Sequence, residues 1–244
     1  MTNDFEPSLK VDPNVAKVEG AADPRRPKVS AKVRWRIVKR ITVIFKINTI
    51  NPQERLLTKV VDILKRGGII AYPTDTYYGI GCDIMNKKSI ERIYQLKQRK
   101  KVKPFSFICS DLKNISHYAK VSNYAYKTMK RLLPGPYTFV LEGSKLVPKI
   151  MLTNRKTAGI RVPDNRICLT LVQALGNPII TTSATMPDGT ILYDPSLIHD
   201  FFHRRIDVVI DGGPVTGHPS SVISLIDDLP EIIRKGLGDV SVFE

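Results

Sequence analysis

The chain has 244 residues, of which 42% are apolar, and it carries a formal net charge of +15. A chain of this length can bury a substantial core, and we predict one domain preceded by an N-terminal extension. Three widely spaced cysteines without a CxxC pair suggest neither a disulfide framework nor a zinc site. No apolar run approaches the roughly 20 residues that cross a bilayer, and the N-terminus lacks the order of a secretory signal, so we expect a cytoplasmic protein with no membrane partner.

The positive charge is concentrated in two stretches. Residues 25–46 contain nine Lys or Arg and no acid, and residues 87–103 contain eight against Glu91. Such clustering implies a polyanionic partner or an anionic substrate. Prolines among charged and small residues predict that residues 1–45 are a basic, flexible extension and that residues 46–244 form the domain.

Strands and helices alternate along the predicted domain. A strand is predicted near residue 47, a helix follows over Leu56–Leu64 and ends at Gly67, and the run IIAY at 69–72 predicts another strand. The fragment Gly79–Gly81 is predicted to be a turn. Further helices are predicted around 90–96, 124–133 and 168–175, and further strands at 105–109, 137–141, 157–162, 178–183, 207–211 and 221–226. This order predicts an α/β fold with a mixed sheet.

Five polar segments follow apolar runs, where ligands bind in open α/β sheets. They are PTDTYYG at 73–79, KQRKKVKP at 97–104, RVPDN at 161–165, TTSAT at 181–185 and PSS at 219–221. Each hydroxyl-rich segment alone is typical of a turn, and the cations alone are typical of a solvated helix end. Together they predict a pocket for phosphates, although no GxxxxGK[ST] or properly placed GxGxxG is present.

This ordered set of segments resembles the YrdC/Sua5 family, whose better-known members are threonylcarbamoyl-AMP synthases. The resemblance covers residues 48–243, and the segments KQR, FSFICSDL, GIRVPDN and RKGLGDV are more similar to the YciO-like branch. It implies a twisted, open mixed sheet flanked by helices, with a basic concave face. It also implies ATP with Mg²⁺, L-threonine or another small amino acid, and bicarbonate as ligands, and threonylcarbamoyl-AMP and pyrophosphate as products.

The resemblance also implies partners and residue roles. The product would pass to other tRNA-modification proteins that act on adenosine 37 of tRNA. Lys97 and Arg99 would be catalytic by holding phosphates or the carbamate, while Thr76 and Arg161 would bind the amino acid. The residues implied in ATP binding are Lys103, Thr157, Thr181, Ser183, Ser221 and Arg234. Thr157 and Arg161 are four residues apart in a strand and therefore face the same side.

Two departures from the family pattern favour an alternative. Ile108 stands where many synthases have a histidine that contacts threonine, and Thr185 replaces the asparagine of the segment SAN. The alternative is a YciO-like protein that binds a nucleotide or double-stranded RNA without threonine-specific synthase activity. A further alternative is that residues 25–46 only dock the chain to a ribosome or another anionic surface.

Overall fold

Short β-branched segments form the strands of a layered α/β fold, and amphipathic segments form its helices. The structure is a computed structural model in which residues 41–98, 105–153 and 156–244 are described. In these ranges the strands are β1 (Val43–Lys46), β2 (Ile70–Tyr72), β3 (Gly79–Gly81), β4 (Ser106–Ile108), β5 (Tyr137–Glu142), β6 (Thr157–Arg161), β7 (Ile179–Ser183), β8 (Val208–Asp211), β9 (Ser221–Ser224) and β10 (Glu231–Arg234). The helices are α1 (Glu54–Lys65), α2 (Lys87–Leu96), α3 (Leu112–Tyr118), α4 (Asn123–Leu132), α5 (Arg166–Leu175) and α6 (Pro195–Phe202).

All ten strands of the described ranges belong to one mixed sheet. Its order is β1-β8-β2-β3-β7-β4-β6-β5-β9-β10. The pairs β1–β8, β2–β8, β4–β6 and β5–β9 are parallel, and the remaining neighbours are antiparallel. The predicted fold class, a mixed α/β sheet flanked by helices, is confirmed.

The predicted turn at Gly79–Gly81 is wrong, because these residues form β3 between β2 and β7. A Cβ atom on Gly81 would lie 2.1 Å from the carbonyl oxygen of Ile180. A Cβ atom on Gly79 would lie 2.8 Å from the ring of Tyr72. The glycines are therefore required by the close approach of neighbouring strands, not by a turn conformation.

Three elements lie outside the helix and strand segments given above. Helices α3 and α6 are short and start at the N-caps Asp111 and Asp194, each of which accepts hydrogen bonds from backbone N–H groups of the first turn. The third element, β10, is an edge strand with mostly exposed residues, so it lacks the alternation that marks a half-buried strand.

Helices cover the two faces of the sheet unequally. On one face, α2, α3, α4 and α6 pack on a large apolar cluster that includes Phe107, Phe139 and Ile160 of the central strands. On the other face, α1 and α5 pack on a smaller cluster that includes Ile108 and Ile179. The part of this second face formed by β5, β6, β9 and the start of β4 carries polar residues and lines a cleft.

The N-terminal part of the domain begins in β1, which pairs with β8 from Val43 onwards. The sheet thus includes the last residues of the segment predicted as an extension. Residues 1–40 lie outside the described ranges, so the prediction of a flexible basic extension stays a prediction. Within the described residues, no helix combines the length and the apolar character that a bilayer crossing requires.

Candidate functional site

The cleft forms where the second face of the sheet changes from apolar to polar. Along β7, Ile179 is packed under the helices, whereas Thr181 and Ser183, on the same face, line the cleft. Along β4, Ile108 is likewise packed in the core and Ser106 lines the cleft. The two-residue period of each strand therefore delivers hydroxyl groups to the region that α1 and α5 leave open.

The cleft has a volume of about 290 Å³. Its lining residues are Phe105, Ser106, Thr138, Val140, Thr153, Thr157, Ala158, Gly159, Arg161, Thr181, Thr182, Ser183, Ser220, Val222 and Arg234. The lining that the structure describes contains two arginines and many hydroxyl groups but no acidic side chain. Such a set is suited to an anion that accepts several hydrogen bonds.

Arg161 is the more buried of the two arginines, with 8% of its surface exposed. Its Nη2 atom donates to Oδ1 of Asp75 at 2.8 Å and to Oγ1 of Thr76 at 3.0 Å. Its Nε atom has no hydrogen-bond partner among the described residues. A buried unpaired donor costs free energy, so this arrangement of the cleft arginine is not fully satisfied by the described residues.

Asp75 holds Arg161 from the turn between β2 and β3. Its Oδ2 atom also accepts a hydrogen bond from the backbone N–H of Asp164 at 3.1 Å. Burial raises the pKa of the Asp75 carboxyl, and the charge of Arg161 partly opposes this rise. Asp75 therefore connects the PTDT turn to the RVPDN turn through the cleft arginine.

Thr76 lies behind Arg161 and is fully buried, so it does not line the cleft directly. The hydroxyl of Thr74 donates its single proton to the carbonyl of Tyr77 at 2.6 Å. The contact of 3.1 Å between Thr74 Oγ1 and Thr76 Oγ1 must then use the proton of Thr76. This chain leaves the Thr76 oxygen as an acceptor for Arg161, so Thr76 orients the guanidinium group.

Arg234 reaches the cleft because of an irregularity in β10. Ile232 pairs with Ile223, but Arg234 pairs with Val222, so Ile233 is an extra residue. Ile232 packs on the large apolar cluster, and a regular strand would turn Arg234 toward that same side. The bulge at Ile233 instead turns Arg234 to the face of Val222, which lines the cleft.

The guanidinium of Arg234 is anchored on Ser220. Its Nε and Nη2 atoms donate to the Ser220 carbonyl at 3.0 and 2.8 Å, and Nη2 also lies 3.2 Å from the Ser220 hydroxyl. Partial burial lowers the pKa of Arg234, and the positive charge of Arg161 lowers it further. Two like charges that share one cleft favour the binding of an anion between them.

The structure places Ser220, not the predicted Ser221, in the cleft. Ser221 is fully buried, and its hydroxyl bonds to the carbonyl of Gly238 and the N–H of Gly236. The Ser220 hydroxyl lies 2.8 Å from that of Thr138, which also lines the cleft. Since successive strand residues face opposite sides, Ser220 and Ser221 cannot both face the ligand.

Thr157 and the glycine of β6 shape the floor of the cleft. The hydroxyl of Thr157 lies 2.7 Å from that of Thr153. A Cβ atom at Gly159 would lie only 2.5 Å from Oγ of Ser106 and 3.2 Å from Cγ2 of Thr138. Gly159 therefore keeps the floor open beside Ser106 and Thr138.

Lys97 is the C-cap of α2, and its ammonium group lies at the end of β7. Its Nζ atom donates to the carbonyl and the hydroxyl of Thr185, both at 2.7 Å, and to the carbonyl of Ser183 at 3.3 Å. Ser183 also lines the cleft, so Lys97 binds the backbone of a cleft residue but is not itself a lining residue. Arg99 and Lys103 lie outside the described residues, and their roles stay predictions.

The structure therefore brings Thr157, Arg161, Thr181, Ser183 and Arg234 together as predicted cleft residues. Asp75, Thr138 and Ser220 were not predicted. Asp75 stands between two hydroxyls in PTDT, and Ser220 precedes the predicted Ser221 in PSS, so both motifs contained the signal. Thr138 is a single polar residue in the apolar run YTFVL, and only the strand alternation could have indicated it.

The cysteines do not take part in the cleft. Cys82, Cys109 and Cys168 are buried and unpaired, and burial raises the pKa of each thiol. Thiols of this kind are poor nucleophiles at neutral pH. Across the described ranges, no group of three or more His, Cys, Asp or Glu residues is arranged to hold a metal ion.

The sequence of the chain is similar to those of known proteins that share one family. Residues 62–236 match the Sua5/YciO/YrdC family model, which is described as "Telomere recombination". The chain is 42% identical over 201 residues to the uncharacterized protein YciO of Escherichia coli K12, covering 82% of this chain and 98% of that protein. A putative threonylcarbamoyl-AMP synthase of Methanocaldococcus jannaschii is 34% identical over 199 residues, covering 80% of this chain and 93% of that protein.

Two solved structures share this fold. The crystal structure of E. coli YciO matches with a TM-score of 0.79, covering 84% of this chain and all of that chain. The structure of Pyrococcus abyssi Sua5 complexed with L-threonine matches with a TM-score of 0.75 at 27% identity. That match covers 80% of this chain and 58% of the Sua5 chain.

Proposed function

Because the chain belongs to the Sua5/YciO/YrdC family, we propose that it is an ATP-dependent nucleotidyltransferase of the threonylcarbamoyl-AMP synthase type. The observation that carries this proposal is the cleft, in which two guanidinium groups and many hydroxyls face a space without an acidic lining residue among those described. The similarity to a Sua5 structure that contains L-threonine supports an amino acid as one substrate.

The proposed reaction starts from L-threonine, bicarbonate and ATP. The amino group of threonine and bicarbonate form a carbamate and release water. A carboxylate oxygen of the carbamate then attacks the α-phosphorus of ATP, and the bond to pyrophosphate breaks as pyrophosphate leaves with the bonding electrons. Both reactants are anions, so the protein accelerates this step chiefly by aligning them and stabilising their charge.

Arg161 is suited to the carboxylate of the amino acid. Its guanidinium is fixed by Asp75 and Thr76, and no described residue accepts a hydrogen bond from its buried Nε–H group. Arg234 is exposed at the cleft and is suited to a phosphate of ATP, which a planar guanidinium can engage through two donors. The hydroxyls of Thr157, Thr181 and Ser183 line the same cleft and would complete the nucleotide contacts.

Magnesium would enter with the triphosphate. The described lining of the cleft offers hydroxyls but no carboxylates, and Mg²⁺ is usually held by carboxylates and substrate phosphates. The bound ion would neutralise charge on the leaving pyrophosphate. In the cytoplasm, the product threonylcarbamoyl-AMP would pass to tRNA-modification proteins that act on adenosine 37.

A second candidate is a nucleotide-binding protein with a different small substrate. Ile108 lies in the apolar core under the helices and does not line the cleft, so it offers no polar contact to threonine. In addition, Thr185 holds the ammonium group of Lys97. The 42% identity to YciO is consistent with this candidate.

Calorimetric titration separates the two candidates. ATP with Mg²⁺ is titrated into the protein with and without L-threonine and bicarbonate, and pyrophosphate is then assayed on the same samples. For the synthase we expect threonine-dependent heat and pyrophosphate release, both lost in Arg161→Gln. ATP binding without pyrophosphate release under any of these conditions would overturn the synthase proposal and favour the second candidate.

A further inference from the structure

Helix α4 presents an outer face made of aromatic and cationic side chains. Tyr124 and Tyr126 are 40% and 46% exposed. Lys127, Lys130 and Arg131 are also exposed. The sequence of the helix, NYAYKTMKRL, contains no acidic residue. This surface, which we call the α4 face, therefore combines two flat rings with three positive charges.

The helical spacing places these five side chains on one side. At about 100° per residue, they fall within roughly 160° of arc around the helix axis. The residues between them, Ala125, Thr128 and Met129, are buried on the opposite side. The tyrosines are thus not required for packing the helix, which Ala125 and Met129 anchor in the large apolar cluster.

We propose that the α4 face binds a single-stranded nucleic acid. Lysine and arginine neutralise phosphates, and exposed aromatic rings stack on bases, which are accessible only where the strand is unpaired. Binding of a polyanion by charge alone does not require two exposed tyrosines. An acidic protein partner offers no bases on which the tyrosine rings could stack. The combination of charge and flat rings on one helix face favours an unpaired strand over either of these.

The α4 face is separate from the cleft. Helix α4 packs on the face of the sheet that carries Phe139 and Ile160, whereas the cleft opens on the other face. Binding of a single-stranded nucleic acid to the α4 face therefore leaves the cleft accessible. Nucleotide binding in the cleft and nucleic-acid binding at the α4 face can therefore be measured independently, and either can fail without the other.

The test uses fluorescence anisotropy of the full chain with labelled 12-mers of oligouridylate and oligothymidylate at several salt concentrations. One variant combines Lys127→Gln, Lys130→Gln and Arg131→Gln. A second combines Tyr124→Ala and Tyr126→Ala, with Tyr124→Phe and Tyr126→Phe as its conservative counterpart. The matched control replaces three exposed lysines on the same side of the sheet, Lys87→Gln, Lys88→Gln and Lys113→Gln.

We expect the cation variant to reduce the slope of log affinity against log salt by about 2, since each phosphate contact on a single strand contributes about 0.7. We expect the alanine variant to weaken binding at least about 10-fold without a change in slope, and the phenylalanine variant to retain binding. Tighter binding of one 12-mer assigns the surface to RNA or to DNA. Equal slopes in the cation variant and the lysine control would overturn the proposal, as would full affinity in the alanine variant or equal competition by inorganic polyphosphate.

Discussion

Asp75, in the turn between β2 and β3, and Arg161, at the end of β6, form a nearly buried ion pair although they are 86 residues apart in the sequence. The Nη2 to Oδ1 distance is 2.8 Å, and each side chain is 10% exposed. The pair leaves Nε of Arg161 without a partner among the described residues. The cleft is thus built around a cation whose position is fixed by the protein but whose hydrogen bonds are incomplete.

Replacing Asp75 tests this arrangement. Asp75→Ala leaves the buried guanidinium without its anion and should destabilise the fold by about 3–5 kcal/mol. Asp75→Asn keeps an oxygen that accepts from Arg161 or from the N–H of Asp164, so it should cost clearly less. Urea denaturation of the three proteins measures the free energies. If Asp75→Ala and Asp75→Asn lose the same free energy of unfolding, an uncharged oxygen acceptor at position 75 does not stabilise the fold.

The pH dependence of stability follows from the raised pKa of Asp75. Burial makes the folded chain hold this proton more tightly than the unfolded chain does. The free energy of unfolding should therefore fall as the pH rises from about 4, the ordinary pKa of aspartate, through the higher pKa of the folded state. Asp75→Asn lacks this proton, so its stability relative to the native chain should improve over the same range. The opposite trend in denaturation between pH 3 and 7 would show that Arg161 outweighs burial.

Arg234 should contribute to nucleotide binding, while its neighbour Lys235 should not. Arg234→Ala removes a cation that lines the cleft, and we expect ATP to bind about 10- to 100-fold more weakly, as for loss of a charged hydrogen bond. Lys235 is exposed and pairs with Glu244, so Lys235→Ala is the matched control. Calorimetry with ATP and with inorganic triphosphate measures both. Similar losses in the two variants would show only a general effect of positive charge.

The sequence predicted the framework of the cleft but not the orientation of every residue. Alternation along TAGIRV and PIITTS correctly placed Thr157, Arg161 and Thr181 in one cleft because these strands are regular. Arg234 depends on a bulge at Ile233, and a two-residue period cannot show an extra residue.

Contacts between residues that are distant in the sequence could not be predicted either, because neighbouring residues do not indicate them. The glycines of β3 are required by the close approach of β2 and β7, which becomes apparent only when the sheet is assembled. For the same reason, Asp75, which lies between Thr74 and Thr76, was not predicted as a site residue. Its importance comes from Arg161 and Asp164, both distant in the sequence.

Lys97 and Arg99 together should matter more for nucleotide binding than Lys100 and Lys101. The ammonium group of Lys97 binds Thr185 and the carbonyl of Ser183, and Ser183 lines the cleft. We expect the variant Lys97→Ala with Arg99→Ala to bind ATP at least about 10-fold more weakly, as for loss of charged hydrogen bonds. The control is Lys100→Ala with Lys101→Ala, which removes the same charge. Equal losses in ATP titrations would assign the whole segment KQRKKVKP to a nonspecific field of positive charge.

Ser220 should affect ATP binding more than Ser221 does, and Ser221 should affect stability more than Ser220 does. The Ser220 hydroxyl lines the cleft and bonds to the hydroxyl of Thr138, so Ser220→Ala should weaken ATP binding and cost about 0.5–1.5 kcal/mol of stability. The Ser221 hydroxyl joins β9 to the segment around Gly238 and is fully buried, so Ser221→Ala should cost about 1–3 kcal/mol of stability. Its effect on ATP affinity, measured well below the midpoint of unfolding, should be small. A larger loss of ATP affinity in Ser221→Ala than in Ser220→Ala would contradict the position of Ser220 in the cleft and restore the prediction made from the sequence.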